Sequence, residues 1–227
     1  RFPLSFEGEG DPGGEVVMNL TEMRAIVRRD LHDEDTGNYR WTDDELDRHI
    51  ARAVKDLSER LPCEEKAVKA TTSGSRELDI SNLSDRVIVV AIEYPADQFP
   101  KRYQRFSLWE DVLTILSEEI PDGSNACVYY GKLHTLDASS STIPELHEDL
   151  VAAGAAGYAA IEWAIFTVNR VNVGGNVTPR EFHDWGRERL NYFRQELRRL
   201  GRRNRVRFNA LYRPYYPAVS KSTDYGP

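Results

Sequence analysis

A dense group of arginines near the end of the chain has the most specific chemistry in the sequence. Guanidinium groups bind phosphate or carboxylate oxygens through paired hydrogen bonds, and interleaved tyrosine rings suit contacts with bases or protein partners. Three interpretations stay open: a docking segment for an acidic partner or sister subunit, a contact with nucleic-acid backbone, and a solvated helix end favoured by the helix dipole. The residues are Arg198, Arg199, Arg202, Arg203, Arg205, Arg207, Tyr212, Tyr215 and Tyr216.

The charges of the chain are distributed unevenly along it. The formal net charge is −7, but residues 1–150 hold 17 Lys and Arg against 31 Asp and Glu, whereas residues 151–227 hold 13 against 6. The first part therefore carries −14 and the second part +7. This distribution excludes a uniformly basic nucleic-acid binder, and the composition excludes collagen, a disulfide scaffold and wholesale disorder.

Residues that could perform catalysis or bind a metal are scattered. The five histidines form no His-Glu-x-x-His pair, and no P-loop, nucleophile elbow or dinucleotide-binding glycine pattern occurs. Cys63 and Cys127 are 64 residues apart and are expected to be ordinary buried thiols. We therefore predict no catalytic residue, no cofactor, no metal site and no small-molecule substrate, and we expect a protein that is not an enzyme.

One acidic stretch, residues 33–38, superficially resembles a calcium-binding loop. An EF-hand that began at Asp33 would need glycine at its sixth position, but Gly37 is the fifth. The alternative is an acidic turn in which Gly37 or Asn38 adopts a positive φ angle, and this interpretation is favoured.

Start signals for helices are clear in the first third of the chain. Asn19 and Glu22 have capping-box spacing at the start of a helix predicted over about residues 19–32. A second helix is predicted over about 43–61, where Pro62 prevents its continuation. Its structural cap combines an N-cap, a reciprocal acidic residue and a hydrophobic staple, formed by Thr42, Glu45, Trp41 and Leu46.

Two further helices are predicted after residue 143. The third runs from about Pro144 to Arg170, and the fourth begins at Pro179, after Thr178 as N-cap. The segment Leu150–Val168 contains one charged residue, Glu162, and must be weighed as a membrane span. A central carboxylate offsets its apolar gain, and its alanines and glycines suit close helix packing, so a buried helix is expected instead of a span.

Between the helical segments, the periodicity changes to that of strands. Short apolar runs punctuated by Pro95, Pro100 and Pro121 predict an antiparallel module of about five strands over residues 76–134. The expected fold is α+β: mainly an α-helical bundle of four helices with an antiparallel β insertion and an extended C-terminal tail. The predicted parts are a disordered or non-native leader at 1–17, the bundle at 18–75 and 135–205, the insertion at 76–134 and the tail at 206–227.

The segment from Leu20 through Arg60 resembles the N-terminal helix pair of a known family, most closely in Tyr-Arg-Trp-Thr-Asp-Asp-Glu-Leu-Asp-Arg-His-Ile-Ala-Arg-Ala at residues 39–53. The family is that of head-to-tail connector proteins of tailed bacteriophages and prophages, also called neck adaptors or head-completion proteins. Residues 130–136 (Tyr-Gly-Lys-Leu-His-Thr-Leu) and 154–160 (Gly-Ala-Ala-Gly-Tyr-Ala-Ala) are similar to later parts of longer members. The acidic leader and the large β insertion depart from the pattern.

The resemblance implies a structural virion protein, assembled in the host bacterial cytoplasm and located at the virion neck. It implies a homo-oligomeric ring of about twelve copies that docks to the portal protein, receives a downstream neck or tail protein and surrounds passing double-stranded DNA. It would give the basic segment and the three tyrosines a docking role, with no membrane involved. The alternative function is a nucleic-acid-binding protein that uses the arginine-rich segment.

Overall fold

The computed structural model describes residues 18–167 and 179–211. Four helices lie in this part of the chain: α1 (Leu20–Asp30), α2 (Asp43–Arg60), α3 (Glu148–Thr167) and α4 (Pro179–Leu211). A short 3₁₀ turn, Glu145–His147, precedes α3. The predicted positions of all four helices are confirmed, although α3 starts after the 3₁₀ turn and α4 continues past residue 205, where the extended tail was expected to begin.

The helices pack around α3, which is buried along most of its length. Its small residues permit this: a Cβ added to Gly154 would lie 2.9 Å from the Phe193 ring, and one added to Gly157 would lie 2.9 Å from Leu190. Both contacts are closer than normal van der Waals distance, so α3 and α4 approach each other because these positions lack side chains. α3 with its preceding turn is also the one helix of the described residues that is long and apolar enough to cross a membrane, and 67% of its apolar window is buried within the protein.

Seven strands lie between α2 and α3 and form two antiparallel sheets. The first sheet has the order β1-β7-β3-β4, and the second has the order β2-β6-β5. The strands are β1 (Cys63–Ala70), β2 (Glu77–Asp79), β3 (Arg86–Glu93), β4 (Tyr103–Gln104), β5 (Phe106–Trp109), β6 (Val112–Ile115) and β7 (Asn125–Lys132).

The two sheets share an apolar core of their own, separate from the core of the helices. Ile92 and Val128 from the first sheet and Leu113 and Ile115 from the second are almost completely buried in it. The helical core instead centres on residues such as Phe193. Successive side chains of a strand point to opposite faces of the sheet. In β7 the even-numbered residues Ala126, Val128 and Tyr130 therefore point into the core between the sheets, while the odd-numbered residues point to the other face.

The expectation of a mainly helical bundle is wrong. The described part of the chain is an α+β protein in which two antiparallel sheets build a second core beside the helices. The sheets also begin earlier than the predicted insertion, because β1 starts at Cys63 in a segment assigned to the bundle. β1 was missed because its sequence, Cys-Glu-Glu-Lys-Ala-Val-Lys-Ala, lacks a β-branched run; β1 forms by pairing with β7 along eight residues.

The acidic stretch after α1 is a turn, but not of the expected geometry. Neither Gly37 nor Asn38 has a positive φ angle; His32 has one instead, with φ 51°. Asp33 is buried, and its carboxylate accepts hydrogen bonds from the Arg28 guanidinium at 2.6 Å and from the Arg40 backbone N–H at 2.7 Å. The stretch therefore uses its first carboxylate to fix the connection between α1 and α2, and among the described residues no cluster of potential ligands suits a metal ion.

Candidate functional site

The candidate docking arginines lie on the last turns of α4. Arg198, Arg202, Arg203 and Arg205 are exposed, and within residues 18–167 and 179–211 no carboxylate forms an ion pair with any of them. Two others are engaged: Arg199 forms an ion pair with Glu196 at 2.6 Å, and Arg207 pairs with Glu64 of β1 and with Asn204. Tyr212, Tyr215 and Tyr216 lie outside the described residues.

Three of these arginines, Arg198, Arg202 and Arg205, border a groove that α2, β3 and α4 form together. Its volume is about 690 Å³, and its walls include Arg60, Ile88 and Val89 as well as Arg198, Arg202 and Arg205. Gly201 allows α4 to approach the side chain of Arg60, which would lie 3.3 Å from an added Cβ. Because four guanidinium groups and one carboxylate, that of Glu59, line this open groove, it carries a positive excess that can bind carboxylates or phosphates.

A second, smaller groove continues along α2 and α4. It has a volume of about 340 Å³ and lies between Arg52, Tyr158, Arg194 and Arg198. The Arg52 guanidinium stacks on the Tyr158 ring at 4.0 Å, and the Tyr158 hydroxyl donates to Asp56. Burial and this acceptor raise the pKa of Tyr158. Here positive charges are partly balanced by Asp56, so the uncompensated charge is concentrated at the end of α4.

The predicted cap of α2 is present in the structure. The Thr42 hydroxyl accepts from the Glu45 backbone N–H at 3.3 Å, and the Glu45 carboxylate accepts from the Thr42 backbone N–H at 2.8 Å. This reciprocal bond from Thr42 lowers the pKa of Glu45. Trp41 and Leu46 are both buried in the helical core, and the Trp41 ring packs on Trp163 of α3 with a centroid separation of 5.3 Å. The cap therefore attaches the start of α2 to α3.

A buried arginine holds the two N-terminal helices together, and the sequence did not reveal it. The Arg28 guanidinium binds Asp33 at 2.6 Å, the Trp41 carbonyl oxygen at 3.0 Å and Asp43 at 2.8 Å, while Tyr39 stacks on it at 3.6 Å. The hydrogen bond from Arg28 lowers the pKa of Asp43. In the sequence Arg28 is one of two adjacent arginines in α1, and only the path of the following turn distinguishes it from exposed Arg29.

A polar cluster on the outer face of the first sheet was also missed. Glu93 of β3 is 1% exposed, and one of its carboxylate oxygens accepts from the Tyr129 hydroxyl at 2.7 Å and from the Lys101 ammonium at 3.0 Å. Hydrogen bonds to Tyr129 and Glu93 raise the pKa of Lys101. Burial, with the hydrogen bond to Glu93, raises the pKa of Tyr129. The pKa of Glu93 is lowered because its two partners outweigh the cost of burial. The β3–β7 register that joins these residues is not visible in the sequence.

Two of the histidines are buried at helix contacts. His134 donates its backbone N–H to the Ser58 hydroxyl, and its ring nitrogens lie 2.9 Å from the Leu61 carbonyl oxygen and 2.8 Å from that of Thr142. His49 lies on α2, with Nε2 3.3 Å from a Glu162 carboxylate oxygen. Burial lowers the pKa of both rings. These histidines are positioned to join elements of the fold.

The chain was compared with known proteins by a scan of protein-family models and a search of curated proteins, and neither gives a match.

Proposed function

We propose that this chain is a structural virion protein, a ring-forming connector between the portal of the capsid and the tail that continues the DNA channel. The observation that carries the proposal is the set of exposed arginines Arg198, Arg202, Arg203 and Arg205 on the last turns of α4, for which no ion pair with a carboxylate occurs within residues 18–167 and 179–211. A basic, unsatisfied helix end favours an acidic partner surface, and a connector needs such surfaces toward its neighbours and the portal.

The segment that resembles connectors supplies a second support. Residues 20–60 form α1 and α2, fixed to each other by the Arg28 contacts and to α3 by Trp41. A rigid helical platform of this kind holds its docking surfaces in constant orientation, which favours assembly because little conformational freedom is lost on binding.

The β unit offers exposed aromatic side chains away from its core. Phe99 is 94% exposed in the loop before β4, and Trp109 is 79% exposed at the turn between β5 and β6. Large aromatic residues dominate binding energy in many interfaces. We assign the β5–β6 turn, which carries Trp109, to the downstream neck or tail protein.

Electron microscopy of the purified protein tests the proposal. Rings with a central hole, alone or after addition of portal rings, are the expected result. Protein that stays monomeric at high concentration and does not join portal rings would contradict it.

Nucleic-acid binding is the second candidate, favoured by the same free guanidinium groups. The variant Arg202→Glu, Arg203→Glu, Arg205→Glu separates the two, with Lys66→Glu on the exposed side of β1 as a matched control. Loss of ring assembly without a change in DNA affinity supports docking. Loss of DNA affinity with assembly unchanged supports the alternative, and that affinity should fall steeply as the salt concentration rises.

A further inference from the structure

Two exposed surfaces that include residues of α4 carry opposite charge. On one surface lie Arg198, Arg202 and Arg205, here called the arginine side. The second surface is a cleft that Glu188 and Tyr192 of α4 form with α1 and α3. The two groups lie at different positions along the axis of α4, because Glu188 precedes Arg202 by 14 residues.

The cleft combines carboxylates with aromatic rings. Its volume is about 740 Å³, and it contains Asp30 of α1, Asp149 at the start of α3, and Glu188, Trp185 and Tyr192 of α4. These residues, with Ala152 and Ala153 as the floor, are here called the acidic cleft. In the described part of the chain none of the three carboxylates forms an ion pair. The acidic cleft also contains Arg189, whose guanidinium lies over the Trp185 ring at 5.2 Å.

The acidic cleft and the arginine side complement each other, but they cannot meet within one chain. Both include residues of the same rigid helix, and Glu188 and Arg202 are separated by about 21 Å along its axis. A contact between them therefore needs two chains. Because the two surfaces differ, the contact is heterologous, and repetition of a heterologous contact produces a closed ring when the rotation closes.

We infer that the acidic cleft of each subunit binds the arginine side of the next copy of this chain. Guanidinium groups can form paired hydrogen bonds with carboxylates and can stack on the Tyr192 ring, so one neighbouring helix end can engage both features of the cleft. Tyr192 is 54% exposed and is available for such stacking. This inference rests on the proposed ring and specifies which surfaces form it.

A charge exchange tests the contact. Variant one carries Arg198→Glu and Arg202→Glu, so both of its surfaces are acidic; variant two carries Asp30→Lys and Glu188→Lys, so both of its surfaces are basic. Each variant alone should associate at least about tenfold more weakly than the unchanged protein, because like charges then face each other. An equal mixture should assemble again, since subunits that alternate restore an acid-base contact at every interface.

The measurement is the mass distribution by analytical ultracentrifugation at low salt, with circular dichroism to show that each variant is folded. Matched controls are Lys66→Glu and Glu77→Lys, which change exposed charges on β1 and β2 and should leave assembly unchanged. If the unchanged protein and both variants form the same rings, the inference fails while the proposed function stands. If the variants lose assembly and their mixture does not regain it, the inference is likewise overturned. If the unchanged protein forms no ring, with or without portal, the proposed function fails and this inference with it.

Discussion

Arg28 places a buried positive charge among acceptors that are fixed by three different segments. Its side chain is 7% exposed and that of Asp33 is 2% exposed, so removal of the guanidinium would leave an uncompensated buried carboxylate. We expect Arg28→Met to lower the free energy of unfolding by about 3–5 kcal/mol. Urea denaturation monitored by circular dichroism measures the change.

The neighbouring Arg29 provides the matched control. Its side chain is 72% exposed and lies 4.0 Å from Glu34, so Arg29→Met should alter the free energy of unfolding by less than about 0.5 kcal/mol. The double variant Arg28→Met, Asp33→Asn should recover part of the loss, because it removes the buried negative charge as well. If Arg28→Met and Arg29→Met changed the free energy of unfolding equally, the contacts of Arg28 would not be what holds α1 and α2 together.

The buried histidines predict how stability depends on pH. Burial lowers the pKa values of His49 and His134 in the folded protein below the unfolded value of about 6.5. The unfolded chain then binds more protons in acid, so the free energy of unfolding is highest above about pH 6.5 and falls as the pH decreases below it. Thermal unfolding at pH 7.5 and pH 5.5 measures this. His49→Gln should reduce the difference between the melting temperatures at the two pH values. A melting temperature that is no lower at pH 5.5 than at pH 7.5 would contradict the prediction.

The contact between α3 and α4 depends on the absence of side chains at a few positions. Gly157→Ala would place a Cβ 2.9 Å from Leu190 and 3.2 Å from the Gly186 carbonyl oxygen, which forces the helices apart. The expected loss is about 1–3 kcal/mol of unfolding free energy, reduced by the better helix propensity of alanine. Thermal or urea unfolding measures it.

Gly201→Ala is the matched control for this substitution. It lies in α4, but the nearest atom to its added Cβ is Cδ of Arg60 at 3.3 Å, in a side chain that can move. Here the helix propensity of alanine should dominate, with a gain of up to about 1 kcal/mol. If both glycine substitutions had the same sign, close helix approach would not be the reason for Gly157.

Local signals in the sequence predicted the helices well and the strands less well. The starts of α1 and α2 were correct because each capping box, Asn19 with Glu22 and Thr42 with Glu45, lies within four residues of sequence. β1 was missed because its strand conformation results from pairing with β7, about sixty residues away. The fold class was wrong for the same reason: the sheets bury a core through distant contacts that no local pattern reports.

The candidate site shows the same limit. The sequence identified the arginines of α4, but their grouping into a groove depends on the approach of α2 and β3 to that helix. The acidic cleft joins Asp30, Asp149 and Glu188 from three helices, and no spacing in the chain relates them. Charge counting indicated unlike ends of the chain, whereas the structure places unlike charges on two separate surfaces that both include residues of α4.

This arrangement makes assembly of the proposed ring dependent on ionic strength. The arginine side and the acidic cleft are exposed before association, so the attraction that brings two chains together acts through solvent. The screening length decreases from about 10 Å at 0.1 M salt to about 3 Å at 1 M. We therefore expect rings at low salt to dissociate as sodium chloride is added, with the rate of association falling first.

Sedimentation velocity across a sodium chloride series, at constant pH above 7 so that the buried histidines stay neutral, measures this dependence. An interface built mainly from apolar side chains, such as exposed Trp109 at the β5–β6 turn, would persist or strengthen at high salt because hydrophobic contacts are not screened. Trp109→Ser serves as the control: it should leave both the ring and its salt response unchanged. Rings that withstand 1 M salt but dissociate in Trp109→Ser would assign the subunit contact to the β5–β6 turn and not to the arginine side and the acidic cleft.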